Sequence, residues 1–224
     1  MTVNEGNYKR IREELGGKII LVAVSKTKSI EEIRGLYELG QRDFGENYVQ
    51  ELSDKQQSLP QDIRWHFIGH LQSNKVKYIA PFIHLIQSVD SLKLLNEIDK
   101  QAKKIDRKID CLLQVHIAQE ETKFGLSEDE LDECLHEVKE NSRSHVNIRG
   151  LMGMSTLTGD ARQVESEFKK LKNLFDKYSQ QLAKDGGEAI LSMGMSSDYL
   201  VAIQEGSTMI RIGTLLFGER PSKI

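Results

Sequence analysis

Two cations in the sequence stand out because apolar residues surround them. Lys26 follows the apolar run at residues 19–24 after one serine, and Arg211 lies between Ile210 and Ile212. An apolar site favours the neutral lysine amine, which can form a Schiff base with an aldehyde. A charge inside an apolar strand needs a partner or a ligand. The alternatives are a solvated lysine at a strand end and an arginine in a structural ion pair with a glutamate.

A second group of residues is suited to an anion. Ser196 and Ser197 precede one short helical run, and Gly213 and Thr214 precede another. Glycine lets backbone approach a ligand closely, and N–H groups at a helix start favour negative charge. The two segments follow the apolar runs at residues 189–195 and 209–213, which are expected below to be the seventh and eighth strands. TIM barrels often bind a phosphate at the loops after these two strands. Each segment alone is equally consistent with an ordinary helix cap.

The elements that must position these residues alternate along the chain. Short apolar runs typical of a buried parallel sheet are followed by amphipathic runs with helical spacing. Capping-box patterns begin at Ser29 and Ser127, and Asp160 is expected to cap a long helix that reaches Leu182. Eight strands are expected, at residues 19–24, 43–46, 65–69, 84–89, 109–117, 146–154, 189–195 and 209–213.

Eight repeated βα units predict an α/β protein with a single (β/α)8 TIM barrel. An open doubly wound sheet is the alternative, but no Gly-x-Gly-x-x-Gly turn follows the first strand. Sites in closed barrels lie at the carboxyl ends of the strands. We therefore expect one quarter of the barrel mouth to collect the residues that end strands one, two, seven and eight: Lys26, Asn47, Ser196, Arg211, Gly213 and Thr214.

Composition excludes several classes of protein. Of 224 residues, 38% are hydrophobic and 29% charged, which is ordinary for a globular protein. The net charge of −3 argues against a nucleic-acid binder that works by neutralising phosphates. No apolar run reaches the roughly 18–20 residues that span a bilayer, and residues 1–12 lack the apolar stretch of a signal peptide. We expect a cytoplasmic protein with no membrane or nucleic-acid partner.

Other residues have structural interpretations. Three prolines and no low-complexity linker leave no domain boundary, so residues 1–224 are expected to form one domain. Cys111 and Cys134 lie in apolar patterns and are expected to be buried, reduced thiols. The histidines share no metal-ligand spacing, so no metal site is expected. His66 is interpreted as a core histidine, and Met195 as able to pack on a flat ligand ring.

Six segments, in order along the chain, resemble the pyridoxal phosphate homeostasis proteins. The resemblance covers nearly the whole chain, and its motifs are long. The matching segments are residues 23–27, 44–48, 65–69, 71–75, 192–196 and 210–214. The resemblance implies a TIM barrel related to the N-terminal domain of alanine racemase.

The resemblance also implies a cofactor and its contacts. Pyridoxal phosphate would be bound as an internal aldimine to Lys26, with Arg211 at the pyridine nitrogen and Asn47 near the ring. Ser196, Gly213 and Thr214 would hold the phosphate. Every one of these positions also follows from the strand ends.

A difference from the racemases shapes the expected function. Racemisation needs acid–base groups on both faces of a planar carbanion, and the racemases take one from an added β-domain across a dimer. Only residues 215–224 follow Thr214 here, so no such domain is expected. An arginine at the pyridine nitrogen also weakens the ring as an electron sink.

The leading hypothesis is a monomeric, cytoplasmic, non-catalytic carrier that buffers pyridoxal phosphate and delivers it to apo forms of pyridoxal phosphate-dependent enzymes. One alternative is a weak pyridoxal phosphate-dependent amino-acid racemase that uses Lys26. Another is a Schiff-base aldolase without cofactor, which would be colourless. A purely structural module leaves Lys26 and Arg211 unexplained.

Overall fold

Eight parallel strands form a closed barrel in chain order, with β8 paired to β1. The computed structural model describes residues 3–120, 124–140, 145–182 and 187–219. The closed order confirms the predicted (β/α)8 barrel and excludes the open sheet. The strands are β1 Ile20–Val24, β2 Asp43–Glu46, β3 Arg64–Phe67, β4 Leu85–Val89, β5 Ile109–Gln114, β6 Val146–Met152, β7 Ile190–Ser192 and β8 Met209–Ile212.

Helices surround the barrel, and the described residues contain α1 Glu5–Leu15, α2 Ile30–Glu38, α3 Val49–Ser58, α4 Val76–Ile79, α5 Leu92–Lys104, α6 Glu128–Glu140, α7 Ala161–Lys177, α8 Tyr199–Gln204 and α9 Thr214–Phe217. A 3-10 turn at Ser73–Lys75 leads into α4. Each of these helices is too short or too polar to span a bilayer.

Alternation along the strands creates two apolar regions. On β1, Leu21 and Ala23 pack in the large cluster that includes the helices, whereas Val22 belongs to a second cluster. Successive strand residues face opposite sides of a sheet, so the second cluster lies inside the barrel. It is formed by Val22, Leu85, Leu112, Met152 and Met209.

The predicted helix starts are confirmed. The Ser29 hydroxyl accepts from the Glu32 N–H while the Glu32 carboxylate accepts from the Ser29 N–H, and Ser127 and Glu130 do the same. Asp160 caps α7. That helix ends at Lys177 rather than at Leu182, although Leu182 is buried. Cys111 and Cys134 are buried free thiols, as expected.

Helix α1 was not expected from the sequence. The Asn4 side chain caps it by accepting from the Asn7 N–H at 2.9 Å. A narrow apolar stripe at helical spacing is buried, and it consists of Tyr8, Ile11 and Leu15.

Helix α1 is fastened to the last helix, α9. The Asn4 N–H donates to the Leu216 carbonyl at 2.8 Å, and the Asn7 amide donates to the Leu215 carbonyl at 2.9 Å. The first helix therefore supports the element that begins at Thr214. The expected domain limits at Met1 and Ile224 lie outside the described residues.

Candidate functional site

The carboxyl ends of β1, β2, β7 and β8 border one cavity of about 480 Å³. Its apolar wall is formed by Val24, Ile68, Met154 and Met195. The structure brings all six predicted residues to this cavity: Lys26, Asn47, Ser196, Arg211, Gly213 and Thr214. Their role toward a ligand stays a prediction. We call this space the mouth cavity.

Lys26 lies in the loop between β1 and α2, and both of its neighbours are fixed by carboxylates. The Ser25 hydroxyl donates to Glu46 Oε1 at 2.6 Å, and the Thr27 N–H donates to Glu51 Oε1 at 2.6 Å. Thr27 has φ 64°, a left-handed conformation that is uncommon for a β-branched residue. The surrounding structure therefore holds this loop in a strained conformation that places Lys26 at the cavity.

A buried lysine joins those carboxylates. Lys55 Nζ donates to the Ser25 carbonyl at 2.7 Å, to Glu46 Oε1 at 2.8 Å and to Glu51 Oε1 at 2.6 Å. Burial raises the pKa of Glu46 above its ordinary value, although Lys55 and Ser25 oppose the effect. We call Ser25, Glu46, Glu51 and Lys55 the Lys55 cluster. This cluster holds the loop on both sides of Lys26. It was not predicted from the sequence.

Arg211 is 3% exposed, and neutral acceptors hold it. Its guanidinium donates to Ser192 Oγ at 2.6 Å and to the Gly153 carbonyl at 2.9 Å. Burial lowers the pKa of Arg211 to about 10, with Asp198 opposing the shift. The side chain therefore stays charged at neutral pH. Among the described residues no glutamate pairs with it, so the ion-pair alternative is not what the structure shows.

Asn47 borders the mouth cavity and has a buried acceptor. Its Oδ1 has no hydrogen-bond partner within the described part of the chain. Its backbone is fixed by Gly69, where an added Cβ would lie 2.7 Å from the Asn47 Cα. A buried acceptor without a partner costs stability, so this oxygen is suited to a donor on a ligand.

Ser196 connects the loops after β7 and β8. Its hydroxyl accepts from the Gly213 N–H at 3.3 Å. Asp198 fixes the turn, because one carboxylate oxygen accepts from the Met195 N–H at 2.5 Å and the other from the Ser155 hydroxyl at 2.7 Å. Hydroxyl and backbone donors are thereby gathered on one side of the cavity.

The ionisable side chains that line the mouth cavity are cations. Among the described residues that line it, the ionisable side chains are Lys26, Lys28 and Arg211, and none is a carboxylate. Lys28 donates to the Phe217 carbonyl at 3.0 Å and pairs with the Glu32 carboxylate at 3.5 Å, so part of its charge is balanced. Lys28 was not among the residues predicted from the sequence, although its position two residues after Lys26 was a signal. The cavity can thus accommodate an anionic ligand with an aldehyde and a flat ring.

One cluster away from the mouth cavity was not expected. Candidate ligand atoms of Asp43, His66 and His84 lie within 4.8 Å of one another. Arg64 engages both Asp43 oxygens, at 2.7 and 2.5 Å. Burial lowers the pKa of His84 to about 4. Because Arg64 already neutralises the carboxylate, the arrangement favours a polar network over a cation site.

Known proteins of one family are similar to this chain over most of its length. The family model of the alanine racemase N-terminal domain matches residues 5–221. A pyridoxal phosphate homeostasis protein from Pasteurella multocida is 39% identical over 203 residues, which are 89% of this chain and 86% of that protein. PipY of Synechococcus elongatus PCC7942, solved with PLP bound, is 36% identical with a TM-score of 0.84, covering 95% of this chain and 99% of PipY.

An alanine racemase from Clostridium difficile 630 has a TM-score of 0.76 at 18% identity. The match covers 99% of this chain and 59% of the racemase, and it shows a common fold alone. The relatives at higher identity decide the narrower grouping: this chain belongs to the pyridoxal phosphate homeostasis protein family.

Proposed function

We propose that this chain binds pyridoxal phosphate in the mouth cavity and holds it for release to other proteins, without turning over a substrate of its own. The observation that carries the proposal is the set of groups in one cavity. An amine, an orphaned buried acceptor, a buried guanidinium and a Ser–Gly–Thr donor set border the same apolar-walled space.

Each part of the cofactor has a counterpart among these residues. When bound, pyridoxal phosphate supplies an aldehyde that condenses with a lysine amine, with loss of one water. Lys26 would provide that amine, and Arg211 would face the ring nitrogen. Asn47 would accept a hydrogen bond near the ring. The donors for the phosphate would be Ser196, Gly213 and Thr214, with Lys28 adding positive charge.

The lining of the cavity supports binding rather than turnover. A racemase needs acid–base groups on both faces of the reacting carbon. The ionisable groups among the described lining residues are three cations, with no tyrosine, histidine or carboxylate among them. A charged Arg211 also disfavours a proton on the ring nitrogen, which weakens electron withdrawal. The racemase alternative is therefore less well supported.

Three further parts of the hypothesis stay predictions. We propose that apo forms of pyridoxal phosphate-dependent enzymes receive the cofactor, that the chain acts as a cytoplasmic monomer, and that residues 1–224 form one cofactor-binding domain. The names of the curated relatives describe homeostasis rather than a reaction, which supports a role in cofactor supply.

A reduction and mapping experiment tests the proposal. Wild type, Lys26→Ala and Lys18→Ala are mixed with pyridoxal phosphate, and absorption is recorded before and after borohydride. Lys18 is an exposed lysine just before the opposite end of β1, so Lys18→Ala is the matched control. We expect wild type and Lys18→Ala to show a visible band and a reduced label that mass spectrometry maps to Lys26. Lys26→Ala should lose both.

Two outcomes contradict the proposal. A wild type without the band, or with its label on another residue, overturns the assignment of the cofactor to Lys26. The loaded protein is also incubated with L-alanine, and D-alanine is measured against free pyridoxal phosphate. If the protein formed D-alanine faster than free pyridoxal phosphate, and Lys26→Ala abolished this activity, the racemase alternative would be established instead.

A further inference from the structure

A continuous chain of hydrogen bonds crosses the barrel interior to Arg211. Arg211 lies on β8, Ser192 on β7, Gln87 on β4, His66 on β3 and Asp43 on β2. The guanidinium meets Ser192 Oγ at 2.6 Å, and that oxygen meets Gln87 Oε1 at 2.7 Å. Gln87 Nε2 lies 3.0 Å from His66 Nδ1, and His66 Nε2 lies 3.1 Å from Asp43 Oδ1. We call these five residues the interior chain.

The interior chain lies where polar groups are costly. Gln87 and Ser192 are 0% exposed, and His66 is 1% exposed. The apolar interior cluster packs in the same barrel, and Gln87 Nε2 also contacts Met209 Sδ at 3.2 Å. Buried polar groups are tolerated when hydrogen bonds satisfy them. The hydrogen bonds of the interior chain therefore explain how these polar side chains can be buried inside the barrel.

Arg211 at one end and the orientation of the Gln87 amide, with Oε1 toward Ser192 and Nε2 toward His66, together fix the direction of the links. An arginine only donates, so Ser192 accepts from it and passes its single proton to Gln87 Oε1. The Gln87 amide nitrogen then donates to His66 Nδ1, which must carry no proton. His66 is therefore neutral, with its proton on Nε2 donated to Asp43.

Asp43 is a fixed negative end. Although burial acts to raise its pKa, the hydrogen bonds from His66 and Arg64 and the charge of Arg64 outweigh that effect and hold the Asp43 pKa well below its ordinary value. The negative charge of Asp43 lies at the far end of the chain, and the two oxygens that accept from Arg211 are neutral. Asp198, outside the interior chain, is the carboxylate whose charge acts on Arg211. The positive charge of Arg211 is thus left available to the mouth cavity.

We propose that Asp43, His66, Gln87 and Ser192 are positioning residues that fix the Arg211 guanidinium and, through it, set the electronic environment of the ring of the bound cofactor. This inference rests on the proposed function, because it places that ring against Arg211. The interior chain itself belongs to the unloaded protein and can be tested there.

The first test uses protein without cofactor. Nitrogen-15 NMR of the imidazole identifies which ring nitrogen of His66 carries the proton. We expect the neutral form with the proton on Nε2 in wild type. Gln87→Glu keeps the side-chain shape but offers only acceptors, so His66 should become doubly protonated. A wild-type His66 with its proton on Nδ1 overturns the inferred direction of the chain.

The second test uses loaded protein and two buried serines. Ser192→Ala removes the link beside Arg211. Ser88→Ala removes an equally buried hydroxyl that has no hydrogen-bond partner among the described residues. We expect Ser192→Ala to move the visible maximum of the bound cofactor and its pH profile, and to lower cofactor affinity roughly tenfold. Ser88→Ala should retain the wild-type spectrum.

The outcomes separate the two proposals. A wild-type spectrum in Ser192→Ala, with the label still on Lys26, overturns the positioning role and leaves the proposed function intact. Should Ser192→Ala fail to fold, Gln87→Glu supplies the second break, and an unchanged spectrum there overturns the role equally. A wild type that takes no cofactor overturns the proposed function and the effect on the ring. In that case the NMR measurement of His66 still tests the direction of the hydrogen bonds in the interior chain.

Discussion

Lys26 depends on a buried residue that does not itself line the mouth cavity. Lys55 ties together the backbone before Lys26 and the carboxylate that holds the Thr27 N–H. Glu46, at the centre of the Lys55 cluster, is 0% exposed, and its Oε2 has no partner within the described residues. The geometry of the Lys26 loop is therefore linked to the charge balance of this cluster.

Replacing Lys55 by methionine should destabilise the protein strongly. The change keeps a similar chain length but leaves Glu46 as a buried charge without its cation. We expect a loss of about 3–5 kcal/mol in the free energy of unfolding, measured by urea denaturation. Adding Glu46→Gln should recover part of the loss, because it removes the stranded charge.

Lys169→Met is the matched control for that experiment. Lys169 forms an exposed pair with Glu165 at 3.8 Å, and such pairs contribute about 0–1 kcal/mol. If Lys55→Met and Lys169→Met lowered the free energy of unfolding equally, the Lys55–Glu46 pair would not contribute the expected stability.

The sequence identified the residues of the mouth cavity better than their supports. Lys26 and Arg211 were conspicuous because a charge beside or within an apolar run is costly. Lys55 lies on an amphipathic helix, where a lysine is unremarkable in sequence. Its burial follows from which strand end α3 packs against, and that information is tertiary.

The short elements after β7 and β8 carry the predicted phosphate donors. Gly194 has φ 97°, and this turn takes the chain out of β7 toward Ser196. An added Cβ at Gly194 would lie 2.6 Å from the Ala202 Cβ on α8, so the turn requires glycine. Asp198 then fixes the loop through its two carboxylate bonds.

Asp198→Ala should weaken binding of the phosphate more than binding of the ring. Without the carboxylate, the loop that carries Ser196 loses the bonds that hold it. We expect affinity for pyridoxal phosphate to fall about tenfold to a hundredfold, the range for one or two lost charge-assisted bonds. Affinity for pyridoxal, which lacks the phosphate, should change little. Titration calorimetry with both ligands measures the ratio.

Asp160→Ala serves as the control, because Asp160 caps α7 and does not line the mouth cavity. It should cost about 1 kcal/mol of stability and leave the ratio of the two affinities unchanged. An equal fall for both ligands in Asp198→Ala would place the phosphate elsewhere.

At the level of elements, the helix starts were predictable and some ends were not. Capping boxes are local, so Ser29 and Ser127 identified their helices. The last predicted strands were too long because apolar residues such as Met195 continue past the ladder to line the mouth cavity. Helix α1 was missed because it is mostly polar, although Asn4 and the spacing of its buried residues were available signals.

At the level of the whole molecule, the site spans the closure of the barrel. Lys26 follows β1 and Arg211 lies on β8, and these two strands pair through four registered residues from Ile20 with Met209 to Ala23 with Ile212. A ligand that contacts both sides is held by the strand pair that closes the barrel.

Bound cofactor should therefore stabilise the whole fold. At a free concentration one hundred times the dissociation constant, linkage gives about 2.7 kcal/mol. We expect the urea midpoint of wild type to rise with added pyridoxal phosphate. A smaller rise is expected in Lys26→Ala, which retains only the non-covalent contacts. An unchanged wild-type midpoint at saturation would contradict binding to the folded barrel.

The alternation of strands and helices was enough to predict the barrel, because eight βα units have few compact arrangements. The interior chain was beyond reach of the same reasoning. Asp43, His66, Gln87 and Ser192 lie on four strands far apart in sequence, and each is unexceptional by itself. The strands β2, β3 and β4 are neighbours, but only closure of the barrel places Gln87 on β4 opposite Ser192 on β7.

The pairing of β1 with β8 has a consequence for how the protein is made. A chain emerges from the ribosome with its N-terminus first. Lys26 is therefore made well before Arg211, which lies on β8, the last strand of the barrel. A partly synthesised chain therefore contains Lys26 before the residues of β8 complete the mouth cavity. If the proposed function holds, cofactor capture is expected only after the eighth strand has been made.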